Sequence, residues 1–215
     1  MGKIFAIGDI HGTASKLDQL MTMIPIKAKE DSLVFIGDYL DRGPNPKGVI
    51  DSVLEIIRSI NHVVCLRGNH EQMFLNYYCE NKGEELFMHN GGITTLISYG
   101  FKGTGGKEAM TVPDSHMDFL TNLQPYYETD DYIFVHAGLR PGIALDQQDI
   151  NDLLWLRYEF INSPYDFGKK VIFGHTPISL AAPFIEKNKL GIDTGAVFGG
   201  KLTCVELPDM KIYQV

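Results

Sequence analysis

The first limits on this protein come from what its sequence is short of. No apolar run approaches the roughly 20 residues that span a bilayer, so no membrane-crossing helix is expected. Cysteine occurs only at Cys65, Cys79 and Cys204, without a Cys-x-x-Cys pair, which argues against a thiolate zinc site or a disulfide framework. Cys65 and Cys204 lie inside apolar strand-like runs and are expected as buried, reduced thiols. Basic charge is also scarce. Nineteen Lys and Arg against 27 Asp and Glu leave a formal charge of −8, which lacks the basic face of a general nucleic-acid binder. A locally basic pocket remains compatible with that figure, because bound divalent cations add charge outside the count. The start, Met1 to Ala6, has neither the long apolar region nor the cleavage site of a signal peptide. Ala6 also stands where a myristoylation pattern wants Ser or Thr. The expectation is a cytoplasmic protein.

What is present reads as one domain over residues 1–215, long enough for a sizeable core. Lys3 to Ile7 is strand-like. Leu17, Leu20, Met21 and Ile24 then recur at helical spacing, with Thr13 or Ser15 as cap and Pro25 as terminator. Ser32 to Ile36 predicts a second strand, and Val49, Val53, Ile56, Ile57 and Ile60 the apolar face of a second helix. His62 to Leu66 predicts a third strand. This alternation indicates an α/β fold with a largely buried sheet. Residues 71–98 look helical, with Met73, Phe74, Tyr77 and Tyr78 as a packing face rather than a binding box. Residues 100–112 are glycine-rich and polar and predict a mobile excursion. The P-loop-like Gly103-Thr104-Gly105-Gly106-Lys107 is rejected, because Phe101 stands where the first Gly is needed and Glu108 replaces Ser or Thr. Asp114 is expected to cap a short helix ending near Leu123. Further strands follow at Tyr132 to Val135, Val171 to Phe173 and Lys189 to Ile192, and a hairpin at Lys201 to Leu207 and Lys211 to Val215 closes the chain.

The chemistry concentrates where strands end. Gly-Asp9-Ile-His11-Gly, Gly-Asp38-Tyr-Leu-Asp41-Arg42-Gly, Arg67-Gly-Asn69-His70-Glu71, His136-Ala-Gly and Gly-His175-Thr each follow an apolar run. Ligands of parallel-sheet proteins bind beyond the carboxyl ends of strands, so Asp9, His11, Asp38, Asn69, His136 and His175 are expected to converge as metal ligands. His62, His89 and His116 are read as surface or satisfied core residues. Imidazole, carboxylate and amide oxygen together suit manganese, iron or zinc better than calcium. Six ligands are too many for one catalytic ion with open positions but fit two divalent ions about 3.5–4 Å apart, with Asp38 as the natural bridge. A metal pair alone serves several hydrolyses; Arg42 and Arg67, beside proposed ligands, favour phosphate. Arg157 is a third phosphate-binding candidate, with a surface ion pair as its alternative reading. His70 follows Asn69 directly and so is expected to protonate a leaving oxygen, with Asp41 orienting it. In-line attack on phosphorus by a hydroxide activated between two ions follows from these parts.

Taken in order, these segments resemble the signature of the phosphoprotein phosphatase branch of the calcineurin-like metallophosphoesterases, nearest its compact bacterial and phage members. The likeness runs from residue 8 to residue 176. It implies a central β-sandwich of mixed sheets flanked by helices in four αββα layers. It also implies one ion on Asp9, His11 and Asp38 and a second on Asp38, Asn69, His136 and His175. In the same resemblance Asp41 and His70 are the acid pair, and Arg42 and Arg67 the phosphate-binding arginines; Arg157 matches only locally. Asp193, also at a strand exit, is expected to be structural. The function implied is a manganese-dependent protein serine/threonine phosphatase with phosphorylated proteins or peptides as partners. The alternative is symmetrical hydrolysis of diadenosine tetraphosphate, whose enzymes typically show Gln and Asp where this chain has His11 and Glu71. A non-catalytic binding protein on the same scaffold is disfavoured because no proposed ligand is missing. Substrate selection is expected to lie in residues 77–128.

Overall fold

Ten short strands, numbered in chain order, build two five-stranded mixed sheets in the computed structural model, which describes residues 2–103 and 110–215. In the first sheet β1 (Ile4–Ile7), β2 (Ser32–Phe35) and β3 (His62–Cys65) run parallel. On the other side of β1, β9 (Thr203–Leu207) and β10 (Lys211–Gln214) pair antiparallel. The second sheet has β5 (Tyr132–Val135), β6 (Lys170–Phe173) and β8 (Lys189–Gly191) in parallel, edged by antiparallel β4 (Tyr126–Glu128) and β7 (Phe184–Ile185).

Strand alternation sorts the side chains into layers. Phe5, Ile7, Leu33 and Phe35 face outward into a helical layer, whereas Ala6 and Val34 face inward. There they meet Phe134, Ile172 and Leu190 of the other sheet in an apolar seam. On the far side, Ile133, Val135, Val171 and Phe173 pack beneath α7 (Ile150–Trp155) and α8 (Tyr158–Ile161). The result is the four-layer αββα sandwich the sequence implies. None of the helices among the described residues is long and apolar enough to cross a membrane.

On the first outer layer lie α1 (Ala14–Met23) and α2 (Pro46–Ser59). Asn45 caps α2 by accepting the Gly48 N–H, and Pro46 occupies the first turn, where no donor is lost. Three local expectations change. Thr13 does precede α1, but its hydroxyl donates back to the Ile10 carbonyl and caps nothing. Asp114 is the first residue of α6 (Asp114–Thr121) rather than its cap, placed where its charge still favours the helix dipole. Ile57 is 38% exposed while Ile50 is buried. Eight residues at 3.6 per turn carry Ile57 about 80° around from Val49, onto the outer shoulder.

The stretch expected to be helical over 71–98 forms three helices: α3 (Asn69–Glu80), α4 (Glu84–His89) and α5 (Gly92–Ser98). Left-handed Asn81, Gly83 and Gly91 break it. Its aromatics do pack: Phe74 stacks on Tyr78 at 5.3 Å and Tyr77 on Phe87 at 5.1 Å. The glycine-rich stretch expected to be mobile, and the rejected P-loop pattern within it, lie in part (residues 104–109) outside the described residues. Cys204 is buried as expected, Cys65 half-buried and Cys79 exposed, and all three are free thiols.

Candidate metal centre

The exit turns of β1 and β2 are zipped together. The N–H groups of Ile10 and His11 both donate to the Asp38 carbonyl, and that of Gly12 to Tyr39. The second sheet is tied in by His136, whose Nδ1 meets the Ile36 carbonyl at 3.0 Å, and by the His175 N–H, which donates to Asp9 Oδ2 at 2.9 Å. Strand ends 100 and 166 residues apart in sequence therefore meet at one point. Two glycines make room. A Cβ on Gly174 would lie 2.1 Å from Asp9 Oδ1, and one on Gly68 2.0 Å from Asp38 Oδ1.

Asp38 is the hub. His11 Nε2 is 3.3 Å from Asp38 Oδ2, His136 Nε2 is 3.4 Å from Oδ1, and His70 Nε2 is 4.0 Å from Oδ2. Two buried triads share this one residue: His11, Asp38 and His70, and Asp38, His136 and His175. The first differs from the expected set by presenting His70 where Asp9 was anticipated. Asp9 lies alongside, buried, with Oδ1 unpartnered.

The donor chemistry of this cluster calls for a cation. Leu40 and Ile36 carbonyls can only accept, so the Nδ1 atoms of His11 and His136 carry the protons and their Nε2 lone pairs face inward. His136 Nε2 then stands 3.0 Å from the Asn69 carbonyl oxygen, acceptor against acceptor. Asp9 Oδ1 and His175 Nε2 are buried without any partner. Burial drives the His175 imidazole down to about 2, reinforced by His136, and also lowers His136, leaving both neutral as metal ligation requires. Burial, then the charges of Asp193 and Asp38, push the Asp9 carboxyl well above its ordinary range. Divalent cations bound in the two triads would supply the partner these acceptors lack.

Among the described residues, five of the seven non-glycine positions with positive φ belong to this site: His11, Asp38, Asp41, Arg42 and His175. Such conformations cost on the order of 1–3 kcal/mol each and persist where the surroundings impose them. Glu71 is the chief restraint, a role the sequence reading did not assign. Its Oε1 accepts the N–H groups of Tyr39 and Leu40 (2.8 and 3.1 Å), and its Oε2 those of Asp38 and Gly68 (both 2.9 Å). Burial, with Asp38 adding to it, pushes the Glu71 carboxyl upward. A proton on either oxygen would displace one of four donors, so the geometry is that of a carboxylate. Gly68 to Glu71 has capping-box spacing at the start of α3, the sequence signal that could have revealed it.

His70 donates Nδ1–H to Asp41 Oδ2 at 2.6 Å, both fully buried, and its Nε2 faces the cluster without a partner. The arginines differ in placement. Arg42 lies in the cluster: Nη1 is 2.8 Å from His11 Nε2, and the guanidinium carbon sits 5.3 Å from the centre of the exposed Phe198 ring. Arg157 sits at the rim, donating to the His175 carbonyl and to Thr176 Oγ1 at 3.1 and 3.2 Å. Arg67 turns away, donating to Gln72 and the Thr121 carbonyl, with Nε buried and unpartnered. Asp193 accepts the Gly195 N–H at 2.9 Å, holding its own turn. His116, read as a satisfied core residue, meets Tyr99 and Asp51; His62 and His89 are exposed.

Comparison with known proteins supplies the context. Residues 2–204 match the family model described as calcineurin-like phosphoesterase. Serine/threonine-protein phosphatase 1 of Salmonella typhimurium is 28% identical over 208 residues, covering 95% of this chain and 91% of that protein. The asymmetrical bis(5'-nucleosyl)-tetraphosphatase PrpE of Anoxybacillus flavithermus is also 28% identical, over 235 residues, covering 97% and 92%. Among solved structures, one described as a candidate diadenosine tetraphosphatase superposes with a TM-score of 0.77 at 20% identity, covering 100% of this chain and 93% of the other. The cold-active protein-tyrosine phosphatase of a psychrophilic Shewanella gives 0.62 at 16%, covering 100% and 80%. At those identities the likeness is one of fold.

Proposed function

The chain belongs to the calcineurin-like phosphoesterase family and is a metal-dependent phosphoesterase; from that premise, we propose that it hydrolyses phosphomonoesters, with phosphoserine and phosphothreonine of proteins or peptides as its substrates. We assign two divalent ions, manganese first, to Asp9, His11 and Asp38 and to Asp38, Asn69, His136 and His175. When bound, such ions supply a nucleophile from water at neutral pH and neutralise charge on the phosphoryl group. Arg42 and Arg157 lie beside the cluster and would offer planar donors to phosphate oxygens; Arg67, turned toward Gln72 and Thr121, would have to leave those partners to join them.

The observation that carries this reading is the buried Asp41–His70 pair. A serine or threonine ester leaves as an alkoxide, a poor leaving group that needs a proton as its bond to phosphorus breaks. His70 Nε2 faces the cluster and, once protonated, can give that proton; burial disfavours the imidazolium, and Asp38 and Asp41 favour it. The water oxygen forms the new bond to phosphorus, and the products are an alcohol and inorganic phosphate.

A second reading has its own support. The PrpE relatives match this chain over as much of its length as the protein phosphatase does. Their printed activity is asymmetrical, whereas the sequence alone suggested the symmetrical type as the alternative. Steady-state comparison of a phosphoserine peptide with diadenosine tetraphosphate, with manganese added, separates the two. A higher kcat/KM for the peptide supports the phosphatase reading, and a large preference for the dinucleotide overturns it.

A further inference from the structure

The α4–α5 region carries no metal ligand, yet it grips the Asp41-Arg42 dipeptide. The Arg42 N–H donates to the Gly91 carbonyl at 3.3 Å. One turn on, Thr95 faces Asp41 with both sides of its hydroxyl. It accepts the Asp41 N–H at 2.9 Å and donates to Asp41 Oδ1 at 2.5 Å. Both residues are fully buried. Thr95 Oγ1 can donate only one hydrogen, and that hydrogen is spent on Oδ1. The other carboxylate oxygen, Oδ2, is thereby turned to the His70 Nδ1–H. Asp41 and Arg42 both hold left-handed backbone, at φ 66° and 65°, so neither the dipeptide nor its side chains would hold this pose unaided.

We propose that Thr95 is a positioning residue for proton donation to the leaving group: it fixes the rotation of the Asp41 carboxylate and, through it, the direction of His70. The assignment rests on the phosphomonoesterase reading. It gives the middle of the chain a part in the chemistry rather than only in substrate choice. Asp41 without Thr95 keeps its neighbour His70 but loses two of the bonds that orient it. Its buried N–H is then left without an acceptor.

Leaving-group dependence tests this. Thr95→Val keeps the shape and removes the hydroxyl, and Thr95→Ser keeps the hydroxyl. Each is assayed with added manganese on a phosphoserine peptide, whose alkoxide needs the proton, and on p-nitrophenyl phosphate, whose anion leaves without one. General acid catalysis is worth ~10²–10⁴-fold in rate, and misorienting the acid should forfeit part of it. Thr95→Val is expected to slow the peptide at least ~10-fold and p-nitrophenyl phosphate less than ~3-fold, with manganese content unchanged and Thr95→Ser close to wild type. The His70 Nδ1–H resonance provides a second readout, moving upfield in Thr95→Val and staying put in Thr95→Ser. Should the valine variant fail to fold, Thr95→Ala takes its place in both measurements. Equal slowing of both substrates, or of neither, overturns the assignment while leaving the phosphatase reading intact. Wild-type protein inactive on both esters refutes that reading and the assignment with it.

Discussion

Replacing Glu71 by glutamine removes one charge and changes one atom of the side chain, yet it should be among the most damaging conservative substitutions in this protein. Four backbone N–H groups converge on the carboxylate, two on each oxygen. A glutamine amide retains one oxygen and can serve two of them. At the other end its NH₂ meets two further donors, from Tyr39 and Leu40 or from Asp38 and Gly68, depending on how the amide lies. Hydrogen bonds to a charged acceptor contribute about 1.5–3 kcal/mol each, so losing two in a fully buried site should cost roughly 3–6 kcal/mol. For a protein of this size that is a fall in melting temperature on the order of 10 °C. The assay is thermal denaturation in the presence of a chelator, so that metal binding does not mask the loss, followed by manganese titration of the folded variant. The Asp38 backbone is one of the groups released, so affinity for manganese should fall as well. Glu80→Gln, at the exposed end of the same helix, is the control and should change stability by less than ~0.5 kcal/mol. A Glu71→Gln protein melting within ~2 °C of wild type with unchanged metal affinity would show that the four contacts do not hold the turn.

Other expectations follow from the same geometry. Asp38→Asn should abolish metal binding and turnover together, whereas His70→Asn should keep most of the bound metal and lower turnover ~10²-fold or more; elemental analysis beside kinetics checks the division, and equal metal loss in both would refute it. Arg157→Ala should weaken competitive inhibition by inorganic phosphate about 10-fold, the worth of one charge-assisted contact, with manganese content unaffected; an unchanged inhibition constant removes Arg157 from the phosphate site. Burial lowers the His116 pKa, aided by Lys47 and opposed by Asp51, so the unfolded chain binds that proton more readily. The stability tied to His116 is therefore present above about pH 6.5 and lost as pH falls toward the depressed folded value. Urea titrations of wild type and His116→Leu at pH 7.5 and 5.5 should show a smaller loss on acidification for the variant.

The reach of the sequence had a physical boundary. Asp9, His11, Asp38, Asn69, His136 and His175 were legible because each stands within a few residues of the end of an apolar run, and parallel strands deliver their exits to one place. The sandwich was implied by the ordered segments, but β4 and β7, at three and two residues, were too short to show any periodicity. The helical character of 71–98 was legible but not its breaks, which depend on backbone conformation at Asn81, Gly83 and Gly91 rather than on hydrophobic pattern. Glu71 acts on backbone 31–33 residues away, with only its capping-box spacing from Gly68 as a local hint, and Thr95 acts on Asp41 54 residues away with none. The direction of a long side chain was equally hidden. Arg42 and Arg67 look alike beside their ligands, yet one meets His11 and the other Gln72 and Thr121.

The left-handed backbone at His11, Asp38, Asp41, Arg42 and His175 also bears on how this protein can change. Glycine relaxes each of those positions, so a population selected only for surviving heat would be drawn toward glycine where the residues we assign to metal, acid and phosphate now stand. The sandwich would harden as the reaction disappeared. Lineages that keep the activity must find their thermostability elsewhere, in the seam between the sheets or the outer helices, and leave these five turns uncomfortable.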